Sequence, residues 1–449
     1  MTSLPLLLVT AVGLPLLAGC ASFSADGGRN DVASLTAARI GHAPARDATL
    51  QSLLASPLTA DTAVDLALLN NPALQAAFDQ LGIAEADLVQ AGRLRNPGVS
   101  FGRLSGGGTT EIDRSIMVDI IGVLTLPART RIEQGRFEQA KLHSAAQAVQ
   151  LAFETRQAFF IAVAAAQSAS FAAQVRSAAE ASSQLAERMA RAGNWSALDM
   201  QRERAFYLDA LTQQAKKTHE ALAAREQLTR LLGLSGEQQF VLPERLPALP
   251  DQPQAMGDAE ARAMAQRLDL LAARRDTAAT AAALGLNRAT GFINVLDAGY
   301  ASKSSSAQPG QGGYEVALEL PLFDWGGATV ARAQARYMAS VHRTSDTALR
   351  ARSEVREAYS AYRSSYDIAR QYRDQVLPLR KAISDQVLLR YNGMLASVFE
   401  LLADAREQLA SVNMAIETQR DFWLADSRLQ SAVHGSGDST NHSDTRTTP

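Results

Sequence analysis

The sequence predicts a mainly α-helical protein with a pair of membrane β-hairpins, built as an internal two-fold repeat. Residues 71–232 are expected to run helix, strand, glycine-rich loop, strand, very long helix, glycine turn and long helix. Residues 267–432 state the same order about 200 residues later, and self-similarity at a fixed period indicates a repeat architecture. Aromatic residues make up only 6% of the chain, and long stretches consist of Ala, Leu, Gln, Glu and Arg. Such a composition is typical of long or coiled helices.

Few residues match at this offset, so the repeat rests mainly on the order of its elements. The matched pairs are Glu154 with Glu354, Arg156 with Arg356, Ala158 with Ala358, Phe159 with Tyr359, Arg136 with Arg336, and Gly193 with Gly393.

Charge and motif content argue against several functional classes. A formal net charge of −2 gives no reason to expect a nucleic-acid partner. Phosphate-binding loops, nucleophile elbows and His-Glu-x-x-His motifs are missing from the sequence. Its histidines follow no metal-ligand spacing: His42, His143, His219, His342, His434 and His442. We therefore expect no enzymatic activity, no cofactor and no metal site.

The first residues resemble a bacterial lipoprotein signal. Residues 1–19 carry an uncharged apolar run that has the length of a secretory signal and is too short to span a bilayer. It ends in Leu17-Ala18-Gly19-Cys20, which resembles the lipobox, where the cysteine is acylated and becomes the mature N-terminus. Cys20 is the only cysteine, so disulfides inside the chain are excluded. Residues 20–57, rich in Ser, Ala, Gly and Asp, are expected to form a tether.

The two copies are divided by their turn signals and helix caps. The first copy, residues 58–232, is expected to contain a helix from Asn71-Pro72 to about Leu94, strands 98–104 and 115–124, a long helix 128–191, a tip 192–195 and a helix 196–232. The second copy, residues 258–432, is expected to contain a helix, strands 292–301 and 314–323, a long helix 327–391, a tip 392–395 and a helix 396–432. A proline-containing linker, 233–257, joins the copies, and the polar tail 433–449 is expected to be disordered.

The strand candidates alternate polar and apolar residues. Tyr314, Val316 and Leu318 alternate with Glu315 and Ala317, which gives one apolar and one polar face. Transmembrane strands need about 9 to 11 residues, and all candidates except the first are that long. The alternative is an ordinary half-buried hairpin in a soluble domain. Arg103 makes the first candidate the weakest, and no other stretch reaches the length of an apolar membrane helix.

The helical signals predict two antiparallel helical hairpins. Gly193 and Gly393 are expected to end the long helices in the left-handed conformation, and Ser196 and Ser397 to cap the returning helices. Pro378 should bend the second long helix. Apolar residues spaced alternately three and four apart predict a coiled-coil seam there: Val355, Tyr359, Tyr362, Tyr366, Ala369, Tyr372, Val376, Leu379 and Ile383.

Four strands cannot close a barrel, and an open sheet edge in hydrocarbon leaves backbone groups unpaired at several kcal/mol each. If the strands span a membrane, other copies of the chain must complete the barrel. The expected object is a symmetric oligomer whose helices continue the barrel as a hollow bundle, which is a duct.

Residues 59–429 resemble the TolC family of outer-membrane efflux factors. Asn71-Pro72-Ala73-Leu74 with Arg95-Asn96-Pro97 is similar to the branch associated with heavy-metal efflux, and Leu320-Pro321-Leu322-Phe323-Asp324-Trp325-Gly326-Gly327 to the family's strand-to-helix junction. The equivalent first-copy stretch, Leu124 to Arg129, lacks the glycines. The resemblance implies a homotrimer with a 12-stranded β-barrel and a periplasmic α-barrel of helical hairpins, lipid-anchored in the outer membrane through Cys20.

The resemblance also implies partners and site residues. It implies docking to a periplasmic adaptor and to an inner-membrane pump of the resistance-nodulation-division class. The adaptor-contacting residues at the tips would be Arg191, Gly193, Asn194, Tyr391, Asn392 and Gly393. Glu400 and Asp404 are candidates for a pore constriction, with ordinary surface acids as the alternative.

The favoured function is the exit duct of a tripartite efflux system, with metal ions as the expected cargo. One alternative is the exit duct of a drug-efflux or type I protein-secretion system. Another, of a different class, is a lipid-anchored periplasmic coiled-coil scaffold whose hairpins never enter a membrane.

Overall fold

The computed structural model describes residues 22–43, 49–235, 239–255, 257–291, 295–319 and 323–435. The predicted signal peptide, the predicted lipidation site Cys20 and nearly all of the predicted tail lie outside these residues. In chain order the described elements are α1 (Arg29–Ile40), α2 (Leu50–Leu54), α3 (Ala60–Asn70), α4 (Pro72–Ala91), β1 (Gly98–Gly106), β2 (Thr109–Asp119), α5 (Ile120–Arg191), α6 (Ala197–Leu231), α7 (Ala259–Gln266), α8 (Leu268–Thr290), β3 (Leu296–Ser305), β4 (Gln311–Leu318), α9 (Gly327–Gln371), a π-helical turn (Tyr372–Val376), α10 (Leu377–Asn392) and α11 (Val398–His434).

The element order confirms the internal repeat: α3 to α6 are followed by α7 to α11 in the same sequence of helices and strands. The chain nevertheless divides into two compact units that do not coincide with the two copies. Among the described residues, one unit contains those within 1–32, 77–144 and 268–349, and the other contains those within 33–76, 145–267 and 350–449. Each unit therefore takes segments from both copies.

The first unit holds a single antiparallel sheet in the order β1-β2-β3-β4. Gly107 and Gly108, with φ of 61° and 80°, connect β1 to β2 in a tight turn of the kind that favours two residues with positive φ. The hairpins are longer toward their turns than the sequence predicted. Most of the residues between the predicted strands, 105–114 and 302–313, belong to strands, because hydrogen-bonded pairing continues to Gly106 opposite Thr109 and to Lys303 opposite Gln311.

The predicted strand 115–124 is wrong at its end, since α5 already begins at Ile120. The side chain of Asp119 accepts a hydrogen bond from the backbone N–H of Gly122 at 2.7 Å, which satisfies a free amide in the first helical turn. The mainly β-branched residues 120–124 therefore continue as helix. The sequence pattern alone indicated the period of two of a strand for these residues, whereas the structure places them in a helix.

The second unit is built around an aromatic core from α7, α9 and α11. Tyr362, Tyr366 and Phe422 are almost completely buried, and both tyrosine hydroxyls bond the linker backbone. The Tyr362 hydroxyl accepts from Gln254 N–H at 3.0 Å, and the Tyr366 hydroxyl donates to Asp251 C=O at 2.8 Å. The first part of the predicted coiled-coil seam thus forms this core.

The later part of that seam is not buried within the chain. Leu379 is 61% exposed and Ile383 37%, and both follow the π-helical turn Tyr372–Val376. Pro378 lacks an N–H and crowds the carbonyl of the preceding turn, which a wider π turn accommodates. At the position of the expected bend the helix thus contains this π-helical turn, and the apolar residues that follow it are exposed.

The predicted tether is also wrong in part, because residues 29–40 form helix α1. Ile40 at its end is buried against Val64 and Ala152 in the second unit. Helix α5 contains an 18-residue window with a mean hydropathy of 1.5, of which 44% is buried. Core helices of soluble proteins share this property, so the window by itself does not assign α5 to a membrane.

Candidate functional site

The four-stranded sheet has one apolar face. Residues directly opposite one another in neighbouring strands share a face, and the register aligns Val99, Ile116, Tyr300 and Tyr314 in one row. Two further rows of the same face lie nearer the strand ends that connect to α5, α8 and α9, which we call the helix side of the sheet. The residues of these three rows are all apolar or aromatic: Val99, Ile116, Val118, Leu296, Ala298, Tyr300, Tyr314, Val316 and Leu318.

The apolar face is also the open one. Tyr314 is 93% exposed and Val99 76%, whereas a soluble sheet would cover such side chains. Along β2, exposure alternates: Ile116 and Val118 on the apolar face are exposed, and Ser115 and Met117 on the opposite face are half-buried. On β2 the polar face is therefore the more enclosed of the two, whereas both faces of β1 and β4 are exposed.

Carboxylates dominate the polar face. Within the described strands its charged residues are Glu111, Asp113, Asp119, Asp297, Glu315 and Lys303. Lys303 pairs with Glu111 at 2.9 Å across β2 and β3. Five carboxylates against one ammonium give this face a net negative charge.

Both sheet edges are open. Strands β1 and β4 each pair on one side only within the part of the chain that the structure describes. Such edges expose unpaired N–H and C=O groups that can form hydrogen bonds with another strand.

Aromatic residues mark the junction between β4 and α9. Phe323 is 99% exposed and Trp325 64%. Gly326 has φ of +75°, and a Cβ there would lie 2.8 Å from the backbone oxygen of Gly291. Only glycine fits this close approach, which explains one of the two glycines in the junction motif. In the first copy, Asp119 starts the helix directly, so no equivalent glycine is required.

The first helical hairpin ends as predicted. Gly193 is left-handed with φ of +79°, and Asn194 N–H donates to Met189 C=O at 2.9 Å. This bond closes the helix end in a Schellman arrangement. Arg191 and Asn194 are exposed at this tip.

The second tip is built differently, and the prediction for Gly393 is wrong. Gly393 has φ of −82°, and the left-handed residue is Met394 with φ of 57°. Leu395 N–H donates to Arg390 C=O at 2.7 Å, so the same closure occurs one residue later. The tip is apolar as well as strained, since Met394 is 94% exposed and Leu395 72%. Tyr391 and Asn392 are exposed beside it.

The tips contact each other through aromatic rings. Trp195 and Phe399 stack with centroids 4.6 Å apart and planes 22° from parallel. The structure thus joins the two tips that the sequence placed at separate hairpin ends.

The two predicted constriction acids lie in different environments. Glu400 accepts a hydrogen bond from Ser397 N–H at 3.0 Å and so completes the cap of α11. Asp404 is 8% exposed, and its Oδ2 is buried without a hydrogen-bond partner among the described residues. The structure gives Glu400 a capping role and leaves Asp404 as an unsatisfied buried acid.

An ion pair that sequence reasoning missed lies between the returning helices. Glu203 on α6 is 4% exposed and accepts from Arg406 of α11 at 2.6 Å and from Ser182 Oγ at 2.7 Å. The guanidinium of Arg406 also lies 4.2 Å from the centroid of the Phe206 ring. No local motif announces a pair whose members are 203 residues apart. Among the described residues, no group of three or more His, Cys, Asp or Glu is placed to hold a metal ion.

Comparison with known proteins identifies the fold. No protein-family model matches the sequence, and no curated protein matches it. Among solved structures, CusC, described as forming a transmembrane channel, is 19% identical with a TM-score of 0.69, over 84% of this chain and 92% of CusC. The Campylobacter jejuni outer-membrane channel CmeC is 16% identical with a TM-score of 0.69, over 85% of this chain and 87% of CmeC. The Vibrio cholerae outer-membrane protein VceC is 16% identical with a TM-score of 0.68, over 84% of this chain and 96% of VceC. The chain therefore has the mainly helical fold with four antiparallel strands that these proteins share.

Proposed function

We propose that this protein belongs to the TolC family and is the outer-membrane exit duct of a tripartite efflux system. The observation that carries the proposal is the four-stranded sheet, with two open edges and one exposed apolar face. An apolar outer face opposite a polar inner face is the pattern of a transmembrane barrel wall. The fold shared with CusC, CmeC and VceC supports the same assignment.

The open edges set the assembly. Strand β4 of one protomer would pair with β1 of the next, and three protomers would close a barrel of 12 strands. Closure removes the unpaired backbone groups that hydrocarbon does not tolerate. The helical hairpins would then form the periplasmic tunnel, and acylated Cys20 would add a lipid anchor.

The tips are the proposed contact with a periplasmic adaptor. Exposed Met394 and Leu395 give an apolar contact beside Arg191, Asn194, Tyr391, Asn392 and Gly393. The adaptor would couple the duct to an inner-membrane pump of the resistance-nodulation-division class, which supplies the energy. Glu203 and Arg406 are placed to hold the returning helices together. Glu400 and Asp404 remain the proposed pore constriction.

Metal cations are the proposed cargo. The carboxylates of the polar face would line the barrel lumen, and rings of acidic side chains favour cations in pores. The similarity of Asn71-Pro72-Ala73-Leu74 to the heavy-metal branch points the same way. Planar-bilayer reversal potentials in a salt gradient test this step. We expect cation preference, and we expect Asp113→Asn with Glu315→Gln to reduce it; an anion-selective wild-type channel would contradict the cation-lined lumen.

The decisive experiment is to purify the full-length protein from membranes in mild detergent and to measure its mass and its conductance in planar bilayers. We expect a trimer that migrates differently with and without heating and that conducts. A monomer that is silent in bilayers would instead support the periplasmic scaffold. Sensitivity of a deletion strain to metal salts, drugs or loss of a secreted protein separates the metal duct from the drug and type I secretion alternatives.

A further inference from the structure

Two arginines interrupt the apolar face of the sheet. Arg103 on β1 lies opposite Ile112, and Arg114 on β2 lies opposite Phe101, so the two arginines are diagonal neighbours on one face. Both side chains are exposed. Within the described chain, neither guanidinium has a carboxylate within ion-pair distance, whereas Lys303 on the opposite face is paired with Glu111.

The arginines mark a border on that face. Every row of this face on their helix side is uncharged. The arginines' own rows also contain Ser302 and Ser304, and the row beyond them toward the β1–β2 turn contains Ser105 and Thr110. The row next to Arg114 contains Tyr300 and Tyr314, whose rings make an edge contact with centroids 6.3 Å apart. Tyrosine at the end of an apolar band is typical of a membrane interface. An arginine costs about 2–4 kcal/mol at the bilayer midplane and about 0–1 near the interface, so this border is where the pair is tolerated.

We propose that Arg103 and Arg114 bind the phosphate group of a membrane lipid in the leaflet farther from the helices. The inference rests on the proposed function, because it needs the sheet in a bilayer. Two unpaired guanidinium groups match a phosphate in charge, and their planar forks offer bidentate hydrogen bonds to it. The apolar rows below would contact the acyl chains of the same lipid. A trimer would carry three such sites on its outer wall.

Native mass spectrometry of the purified assembly with added diphosphoryl lipid A tests the site. We expect the lipid to bind wild type, and Arg103→Gln with Arg114→Gln to weaken apparent affinity at least about tenfold, because both guanidinium groups that make charge-assisted hydrogen bonds to the phosphate are lost. Arg103→Lys with Arg114→Lys should retain most of the affinity. The matched control, Arg332→Gln with Arg336→Gln, removes two exposed charges from α9 and should bind as wild type does.

Two results would overturn the inference. One is equal lipid binding by wild type and the double glutamine variant; the other is equal binding of dephosphorylated lipid A and the diphosphoryl form. Conductance of the same preparation separates the two proposals. A conducting trimer without phosphate-dependent binding removes only the lipid site, whereas a silent monomer removes both.

Discussion

The two copies of the repeat reach the same order of elements through different joint chemistry. Asn71 lies between α3 and α4 in the first copy. It caps α4, and its Nδ2 donates to Leu231 C=O at 2.9 Å. The second copy places Arg267 at this joint, with Nη1 donating to Ala432 C=O at 3.0 Å. Each residue ties the start of its copy to the end of the returning helix. Geometry has therefore been retained in the repeat while the side chains that enforce it have diverged.

The largest expected difference between the copies is at this joint. Arg267 is 2% exposed and pairs with Glu354 at 2.7 Å. Arg267→Ala should lower the free energy of unfolding by about 2–4 kcal/mol, because it opens a cavity and frees both acceptors. Asn71→Ala should cost about 1–2 kcal/mol, the loss of a cap and one hydrogen bond. Denaturant titration followed by circular dichroism measures both.

Glu354→Gln is the control for the ion pair at that joint. Glu354 is 39% exposed, so solvent screens its charge and we expect a loss below about 1 kcal/mol. Equal losses for Arg267→Ala and Asn71→Ala would show that the buried guanidinium adds nothing beyond the amide.

The returning helix of the second copy should also carry the pH dependence. Burial raises the pKa of Asp426 to about 6, against an opposing effect of Arg156. Burial lowers the pKa of His434 to about 4, with Arg39 and Arg262 acting in the same direction. The native state thus holds more protons on Asp426 and fewer on His434 than the unfolded state does. As the pH rises from 3.8 to 6, the contribution of Asp426 to the free energy of unfolding falls. As the pH rises from 4 to 6.5, the contribution of His434 increases, so the two changes offset each other.

Single variants should reveal the pH dependence of stability that each of these two groups contributes. Asp426→Asn should leave a protein that loses stability on the order of 1–3 kcal/mol as pH falls from 6.5 to 4, and His434→Phe should leave one that gains stability over the same fall. His219→Gln, at an exposed site on α6 in the first copy, is the control. Midpoints of unfolding at four pH values would check this, and parallel curves for all variants would contradict it.

The sequence was informative where local chemistry decides and misleading where long-range contacts decide. Period-two patterning found the amphipathic strands, and serine caps found the starts of α6 and α11. The same period-two patterning assigned residues 120–124 to a strand. They are helical because helix initiation at Asp119 outweighs their β-branched character. The Glu203–Arg406 pair was invisible because only the packed fold brings α6 and α11 together.

At the tips, the same glycine-to-alanine substitution should destabilise one copy more than the other. Gly193→Ala should lower the free energy of unfolding by about 1 kcal/mol, because φ is positive there. The added Cβ would meet no other atom, so backbone strain is the whole effect. Gly393→Ala should be nearly neutral, since its φ is −82°. Met394→Gly should stabilise the second tip by up to about 1 kcal/mol by removing left-handed strain. Hydrogen exchange of the tip amides reports each change, and equal effects of the two glycine substitutions would refute the displaced turn.

The smallest expected difference concerns the caps of the returning helices. Ser397 and Glu400 form a reciprocal capping box, with Glu400 N–H donating to Ser397 Oγ at 3.2 Å. Ser196 accepts from Asp199 N–H at 3.1 Å, but the shorter Asp199 carboxylate takes the serine hydroxyl instead of the cap N–H. Asp199→Glu should complete the box and protect the first turn of α6 by a few tenths of a kcal/mol. Glu400→Asp should remove the same amount from α11. Exchange rates of the first-turn amides should move in opposite directions in the two variants, and a shift of the same sign in both would show that carboxylate reach does not separate the caps.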